Sequence, residues 1–327
     1  MTPSAEDSRT PQLLLASRVA WLHYMEGLTN LDIADRLGIS RFRVARLLDR
    51  ARKSGIVQIS VSSPLEVDQE LSSQLVREYG LAEALVFPAI DGPDDGPHRQ
   101  LIGTGVGRLA ARFLADILND GAKFGVTWGN TLEQVARALG SVGAFPRCDV
   151  VQLVGGISAA GSSMMAMDVL SRFATAAGGT FSSLDAPLVV SDVQAAEAFR
   201  GQASIKNTLS QVSGLDAAIV GIGSWSPPVS QLIPLFDKGE ITQALERGAV
   251  ADVCAIVVDK DGDEVTEPFA KRVIRADSDR FRKIPYVIGV VSGVAKTHAV
   301  HAVLTGKWIN VLVTDSLLAR RLLTEPA

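Results

Sequence analysis

Residues 29–53 read TNLDIADRLGISRFRVARLLDRARK, and this stretch predicts two short helices joined by a tight turn. Thr29 is a residue type that caps helices, and Asp32 would lie in the first turn, where the helix dipole favours a carboxylate. Gly38 permits the left-handed conformation that ends the first helix, and Ser40 can cap the second. The pattern is typical of a helix-turn-helix.

The second of these helices is predicted to have a buried stripe and a basic outer face. Apolar residues recur at helical spacing, at Val44, Leu47, Leu48 and Ala51. The outward residues are Arg41, Arg43, Arg46 and Arg50. Guanidinium groups pair with phosphates and with the major-groove edge of guanine, so we predict a recognition helix for operator DNA, with Thr29 and Ser40 also at the interface. A solvated charged face is the alternative.

The flanking residues complete a predicted winged helix-turn-helix domain over residues 12–62. A first helix is predicted from Leu13 to Glu26, with Leu14, Ala20 and Trp21 packing under the other two. The run Gly55–Ile59 (GIVQI) predicts a short wing strand.

Composition agrees with a globular protein that binds nucleic acid locally. The chain has 327 residues, 47% of them hydrophobic, which excludes a disordered protein. Its net charge is −4, but residues 12–58 contain eight basic and four acidic side chains, so this segment is positively charged. The local field of the segment, rather than the net charge of the chain, attracts phosphates. No apolar run is long enough to span a bilayer and no signal peptide is evident, so a cytoplasmic protein is expected. Cys148 and Cys254 are isolated in sequence and are predicted to be core residues.

After the DNA-binding segment, residues 63–81 are predicted to form a linker helix, and residues 82–327 an effector domain. The linker has Leu71, Leu75 and Tyr79 on one face, which could pack on the effector domain or form a dimer contact. From residue 82 onward, short apolar runs alternate with helical stretches, one such run being 253–258. This pattern predicts a doubly wound α/β fold with a mainly parallel sheet. Residues 91–97 (DGPDDGP) are predicted to be a surface loop.

Ligands of parallel sheets bind where strands end and helices begin, and residues 124–132 (FGVTWGNTL) predict such a place. The side chains and amides of this turn could hold a phosphate or a sugar hydroxyl. The residues concerned are Thr127, Trp128, Gly129, Asn130 and Thr131. An ordinary capped turn is the alternative, and Trp128 could either stack on a sugar ring or wedge the turn.

Other predicted strand ends also carry residues that could contact a ligand. Gly155, Gly156 and Gly223 each follow or end an apolar run, where the backbone can approach a ligand closely. Lys296 follows a further run near a helix start and suits a phosphate, a solvated lysine being the alternative. His298 and His301 lack a clear third ligand, so we interpret them as surface residues and expect neither a metal nor a cofactor.

Several motifs, taken in order, resemble one family. They are NLDIADRLGISRFRVARLLDRARKSGIVQI (30–59), GVTWGNTL (125–132), VVQLVGG (150–156), LDAAIVGIG (215–223), ADVCAIVVDKDG (251–262) and SGVAKTHAVHAVLTGKWINVLVTDSLLARRLL (292–323). Their order is similar to that of the SorC family of sugar-responsive bacterial transcription regulators. The resemblance implies a winged helix-turn-helix, an effector domain related in fold to sugar-phosphate isomerases and glucosamine-6-phosphate deaminases, and homotetramers that bind operator DNA.

The resemblance also implies site residues. The effector loop of the family falls on residues 127–131, its acidic position on Asp252 and its phosphate-facing lysine on Lys296. This chain departs from the family in having Ser292-Gly293 for Gly-Gly, Ala251 for Gly, and 128–130 (WGN) where members that bind bisphosphorylated sugars have Gly and Thr. A neutral polyol or a monophosphate is therefore the preferred effector.

The sequence leaves three hypotheses for the function. The first is a regulator of a carbohydrate or polyol operon, which is not an enzyme and whose DNA binding is controlled by a sugar, polyol or sugar phosphate. The second is a sugar-phosphate isomerase or deaminase with an accessory DNA-binding domain, in which Asp252 would act beside Lys296. The third is an assembly platform that binds no ligand.

Overall fold

The computed structural model describes residues 9–57, 67–92, 95–157 and 162–325. The chain forms two compact units, residues 1–64 and residues 65–327.

The first unit contains three helices, α1 (Arg9–Tyr24), α2 (Asn30–Leu37) and α3 (Arg41–Lys53). The predicted stripe of α3 is confirmed, because Val44, Leu47, Leu48 and Ala51 are all buried. Ile33 and Ala34 of α2 pack with them. The predicted wing strand lies mostly outside the described residues. Its described part, 55–57, is a turn in which the Val57 amide donates to the Ala51 carbonyl.

Helix α1 buries a different face from the one predicted. Its buried residues are Ala16, Val19, Ala20 and Leu22. The prediction for Ala20 is confirmed, whereas Leu14 and Trp21 are 67% and 60% exposed, so their predicted packing is wrong. Small residues at three- and four-residue spacing let α1 lie close to α3, and this turns the larger Leu14 and Trp21 outward.

The second unit is built on a sheet whose described strands are β1 (Glu83–Phe87), β2 (Lys123–Val126), β3 (Cys148–Gln152), β4 (Gly178–Ser182), β5 (Ala217–Ser224), β6 (Ala251–Val253), β7 (Ile256–Val258), β8 (Tyr286–Val290) and β9 (Val311–Asp315). Seven of them run parallel in the order β1-β9-β8-β5-β2-β3-β4. β6 continues β5 as an antiparallel partner and pairs with β7. The single strand predicted over 253–258 is therefore wrong, because a turn at Cys254-Ala255, with both residues at positive φ, folds it into a hairpin.

Ten helices accompany the sheet among the described residues: α4 (Gln69–Tyr79), α5 (Gly96–Ile117), α6 (Asn130–Ala138), α7 (Ser162–Ala177), α8 (Val193–Gly201), α9 (Ala203–Ser210), α10 (Lys238–Glu246), α11 (Ser278–Phe281), α12 (Thr297–Thr305) and α13 (Ser316–Thr324). α5 begins inside the loop predicted over 91–97, because Asp95 caps it and Pro97 fits a first turn that needs no amide donor.

Helices cover both faces of the sheet, which confirms the predicted doubly wound α/β class. In β5, Ala218 and Val220 point into the core that contains residues of α4, α12 and α13, whereas Ala217 and Ile219 point into the core built with α5, α6 and α7. A strand buried on both faces needs apolar residues at every position, as the sequence has them. Cys148 and Cys254 are buried, as predicted.

The linker helix α4 packs within the second unit. Leu75 is fully buried in the core, and Leu71 and Tyr79 pack against it. The Tyr79 hydroxyl donates to the Leu322 carbonyl at 2.9 Å and lies 3.0 Å from Nδ1 of His301 on α12. Of the two alternatives for the apolar face of this helix, packing on the effector domain is therefore the one observed. His301, which was predicted to be a surface residue, is half-buried.

Candidate functional site

The candidate DNA interface is the outer face of α3. Arg41, Arg43, Arg46 and Arg50 are all exposed there, as predicted for a recognition helix. At the carboxyl end of the helix, Asp49 pairs with Lys53 at 2.9 Å. Within the described part of the chain, neither Arg43 nor Arg46 takes part in an ion pair. Their charges are therefore available to a polyanion.

Capping side chains fix where α2 and α3 begin. Thr29 and Asp32 form a reciprocal capping box, in which the Asp32 amide donates to the Thr29 hydroxyl and the Asp32 carboxylate accepts from the Thr29 amide at 3.1 Å. The Ser40 hydroxyl accepts from the Arg43 amide at 3.3 Å. Gly38 has φ +64°, the left-handed conformation predicted for the turn. The caps therefore fix the residues at which the two helices begin.

The candidate effector site is a cavity of about 100 Å³ at the carboxyl ends of β2 and β5. This is where parallel sheets bind ligands. The predicted residues that line it are Thr127, Trp128, Gly129, Asn130, Thr131, Gly223, Asp252 and Lys296. They come from four separate segments of the chain, so only the fold brings them together.

The turn after β2 forms one wall of the cavity. Gly129 has φ +141°, a conformation that residues with a Cβ rarely adopt, and α6 starts directly after it with no side-chain cap. The first amides of α6 can therefore bind a ligand oxygen. Asn130 is held by Gln231, whose Nε2 donates to Asn130 Oδ1 at 2.9 Å. Trp128 donates through Nε1 to the Gly155 carbonyl at 2.9 Å, so it wedges the turn, and it also lines the cavity.

Asp252 is placed by the antiparallel pairing of β6 with β5, which sets it opposite Gly223. Its Oδ2 accepts from the Trp225 indole at 3.1 Å. Burial raises the pKa of this carboxyl, while hydrogen bonding by Ser230 and Trp225 and the charge of Lys296 act in the opposite direction. The cavity thus contains a hydrogen-bond acceptor whose ionised form is costly while no ligand is bound.

Lys296 lies just before α12 and extends into the cavity. Its Nζ donates to the Ile222 carbonyl at 2.8 Å, so this lysine is not simply solvated. Burial lowers its pKa, and the nearby Asp252 carboxylate opposes that effect. The two groups offer a ligand one donor and one acceptor at the same site.

Gly155 and Gly156, also predicted, are not among the described residues that line this cavity. They pack against residues 186–188: the Gly156 amide donates to the Ala186 carbonyl at 2.8 Å, and a Cβ on Gly155 would lie 2.7 Å from the Leu188 nitrogen. Their contact with the site is indirect, through the bond from Trp128 to the Gly155 carbonyl.

Two segments and the single residue Leu188 line the cavity but were not predicted from the sequence. The loop 229–232 follows β5, where Val229 and Ser230 both donate their amides to the Ser224 carbonyl. The hairpin turn Cys254-Ala255 contributes the other segment. Only the position of the loop after the glycine-rich strand end could have indicated it, because its residues carry no motif.

Gly223 makes a testable contribution to the site. A Cβ there would lie 2.6 Å from Ser230 Oγ and closer still to Asp252 Oδ2, whereas a Cβ on Gly221 would meet only Leu132 at 3.8 Å. We expect Gly223→Ala to displace the Asp252 carboxylate and weaken effector binding by at least about tenfold, a loss of roughly 1.4 kcal/mol. Gly221→Ala, the matched control, should weaken it less than about threefold. Equal effects in calorimetric titrations would contradict this placement of Asp252.

Other kinds of site receive no support from the described part of the chain. No three His, Cys, Asp or Glu side chains within those ranges come together as a candidate metal site. None of the described helices combines the length and apolar content needed to cross a lipid bilayer.

Comparison with known proteins identifies the family. The sugar-binding domain family matches residues 63–324. The transcriptional regulator LsrR of Klebsiella pneumoniae is 32% identical over 314 residues, covering 94% of this chain and 92% of the relative, and LsrR of Escherichia coli SMS-3-5 / SECEC is 30% identical, covering 94% and 93%.

Solved structures of related proteins have the same fold. The full-length sorbitol operon regulator SorC from Klebsiella pneumoniae has the same fold, with a TM-score of 0.70 at 24% identity over 95% of this chain and 99% of that one. The sugar-binding domain of a transcriptional repressor from Vibrio fischeri matches with a TM-score of 0.69 at 28% identity, over 78% of this chain and 98% of that one. The curated relatives are regulators rather than enzymes, which decides against the isomerase alternative. The chain belongs to the SorC family of sugar-binding transcriptional regulators.

Proposed function

We propose that this protein binds operator DNA through α3 and that a small polyhydroxylated effector in the cavity sets its affinity for that DNA. The observation that carries the proposal is the pairing of an arginine-bearing helix-turn-helix in one unit with a cavity at the strand ends of the other. Arg41, Arg43, Arg46 and Arg50 would contact phosphates and base edges, with Thr29 and Ser40 beside the DNA backbone. The protein would act in the cytoplasm.

The charge of the cavity indicates the class of effector. Among the described lining residues, Lys296 is the only cation and Asp252 the only acid. One ammonium group together with the free amides of α6 can bind a monophosphate, whereas a second phosphate would lie near Asp252 without a cation of its own. Hydroxyl groups suit the remaining polar atoms of Thr127, Asn130 and Ser230. A neutral sugar or polyol, or a sugar monophosphate, fits best.

The regulatory step requires two states that the effector distinguishes. Ligand binding can shift DNA affinity only if the cavity binds the effector more tightly in one of them. We propose a homotetramer whose recognition helices match the spacing of operator half-sites in one state and not in the other.

A thermal-shift screen of sugars, polyols and their phosphates tests the proposal. A true effector stabilises the folded state by about 2.7 kcal/mol at a hundred times its dissociation constant. For a unit of this size that is a rise of about 5 to 10 °C in the melting temperature. The same compound should change the affinity of the protein for DNA. If no compound in the screen shifted the melting temperature, the assembly-platform alternative would be favoured.

A further inference from the structure

An aromatic side chain of α3 is exposed to solvent. Phe42 is the second residue of α3 and is 69% exposed. The spacing of the buried stripe, which begins at Val44, leaves Phe42 outside the core of its unit. Its ring is covered only in part, by the Arg41 guanidinium, whose central carbon lies 5.1 Å from the ring centroid.

The surroundings of Phe42 form a mixed surface. Ala45 and Arg46, three and four residues further along α3, are exposed on the same face of the helix. This face therefore presents an aromatic ring, a methyl group and a guanidinium within one turn and a half. The Arg41 cation and the face of the Phe42 ring attract each other weakly.

The major groove of DNA presents one apolar group that this surface could contact. The first residues of a recognition helix meet base edges, and the apolar feature that bases present in the major groove is the 5-methyl group of thymine. An exposed phenyl ring between two arginines has no polar group with which to read other base edges. Resting on the proposed function of α3, we propose that Phe42 contacts a thymine 5-methyl in each operator half-site and so determines sequence preference at that position.

The experiment begins by selecting duplexes from a randomised DNA library with the full-length protein and with its Phe42→Ala variant. We expect the wild type to enrich thymine at one position in each half-site, and Phe42→Ala to lose that enrichment while keeping the preferences set by the arginines. Leu31→Ala, which truncates another exposed apolar side chain of the same unit, should keep the thymine preference.

A second measurement isolates the methyl group. Replacing that thymine by uracil removes only the 5-methyl, and we expect the wild type to bind the uracil duplex about three- to fivefold more weakly, the effect of burying one methyl group. The Phe42→Ala variant should bind both duplexes equally, and Phe42→Leu should retain part of the difference. Uracil placed outside the selected position should have no effect.

The outcomes separate this inference from the function on which it rests. Equal binding of thymine and uracil duplexes by the wild type, or an unchanged thymine preference in Phe42→Ala, would overturn the role of Phe42 alone. If the wild type enriched no sequence from the library, the proposed function itself would fail. The uracil test needs only the wild-type protein, so misfolding of a variant cannot obscure it.

Discussion

Replacing Arg43 and Arg46 together by alanine should weaken operator binding by at least about 30-fold, because each guanidinium that contacts a base or phosphate contributes about 1 kcal/mol or more. Both side chains are exposed, and neither has an ion-pair partner in the described part of the chain that would compete with DNA. The slope of log affinity against log salt concentration should fall by about 1 for each arginine that contacts a phosphate. Fluorescence anisotropy titrations at several salt concentrations, using a duplex selected by the wild type, measure both quantities.

Arg112→Ala is the control for this prediction. Arg112 is an exposed arginine of the second unit, 3.9 Å from Asp116 on α5, and its loss removes one positive charge without touching α3. The affinity of Arg112→Ala for the duplex should stay close to that of the wild type. Effector affinity should be the same in the wild type, the double variant and Arg112→Ala. Wild-type affinity in the double variant would show that α3 is not the DNA-reading helix.

The second large effect is expected at Asp252. Asp252→Asn keeps the shape of the side chain and can still accept from the Trp225 indole, but it replaces the second carboxylate oxygen with an amide donor. A ligand hydroxyl then loses an ionised acceptor, so effector affinity should fall by about 10- to 100-fold. Operator binding without effector should be unchanged, and about 10- to 100-fold more effector should be needed to alter it. Isothermal titration with the compound found by thermal shift measures the loss.

Stability distinguishes this loss from misfolding. Burial raises the pKa of the Asp252 carboxyl, which favours the neutral amide, whereas loss of the carboxylate leaves the buried Lys296 ammonium without an opposite charge. Effector affinity is therefore compared at a temperature well below the melting temperature of each protein. Asp216→Asn, which changes an exposed acid that accepts from the Lys123 amide, is the matched control and should retain effector affinity. If Asp252→Asn bound the effector as tightly as the wild type, the carboxylate would not contact the effector.

Periodicity predicted the elements whose signals are local. The stripe of α3, its serine cap and the glycine turn before it follow from residues a few positions apart, and all appear in the structure. The parallel sheet was predictable for a related reason, since strands buried on both faces are apolar throughout. Gly129 and Lys296 could be assigned to strand ends because the ends of parallel strands meet at one edge.

The remaining features depend on contacts distant in sequence. Whether Leu14 and Trp21 are buried depends on which face of α1 meets α3, and small residues decided that. The split of 253–258 into two strands follows from a turn at Cys254-Ala255 that lacks the usual glycine or asparagine signal. The contribution of 229–232 to the cavity arises only when that loop returns to the end of β5. Local pattern could not show any of these.

Helix α12 lies between the candidate effector cavity and the linker helix α4. Lys296, directly before its first residue, reaches the cavity, and His301, little more than one turn later, holds Tyr79 at the end of the linker helix. At 1.5 Å per residue the separation along the helix axis is only about 7 to 8 Å. A ligand that displaced Lys296 would therefore act on a helix that is hydrogen-bonded, little more than one turn away, to the linker helix α4.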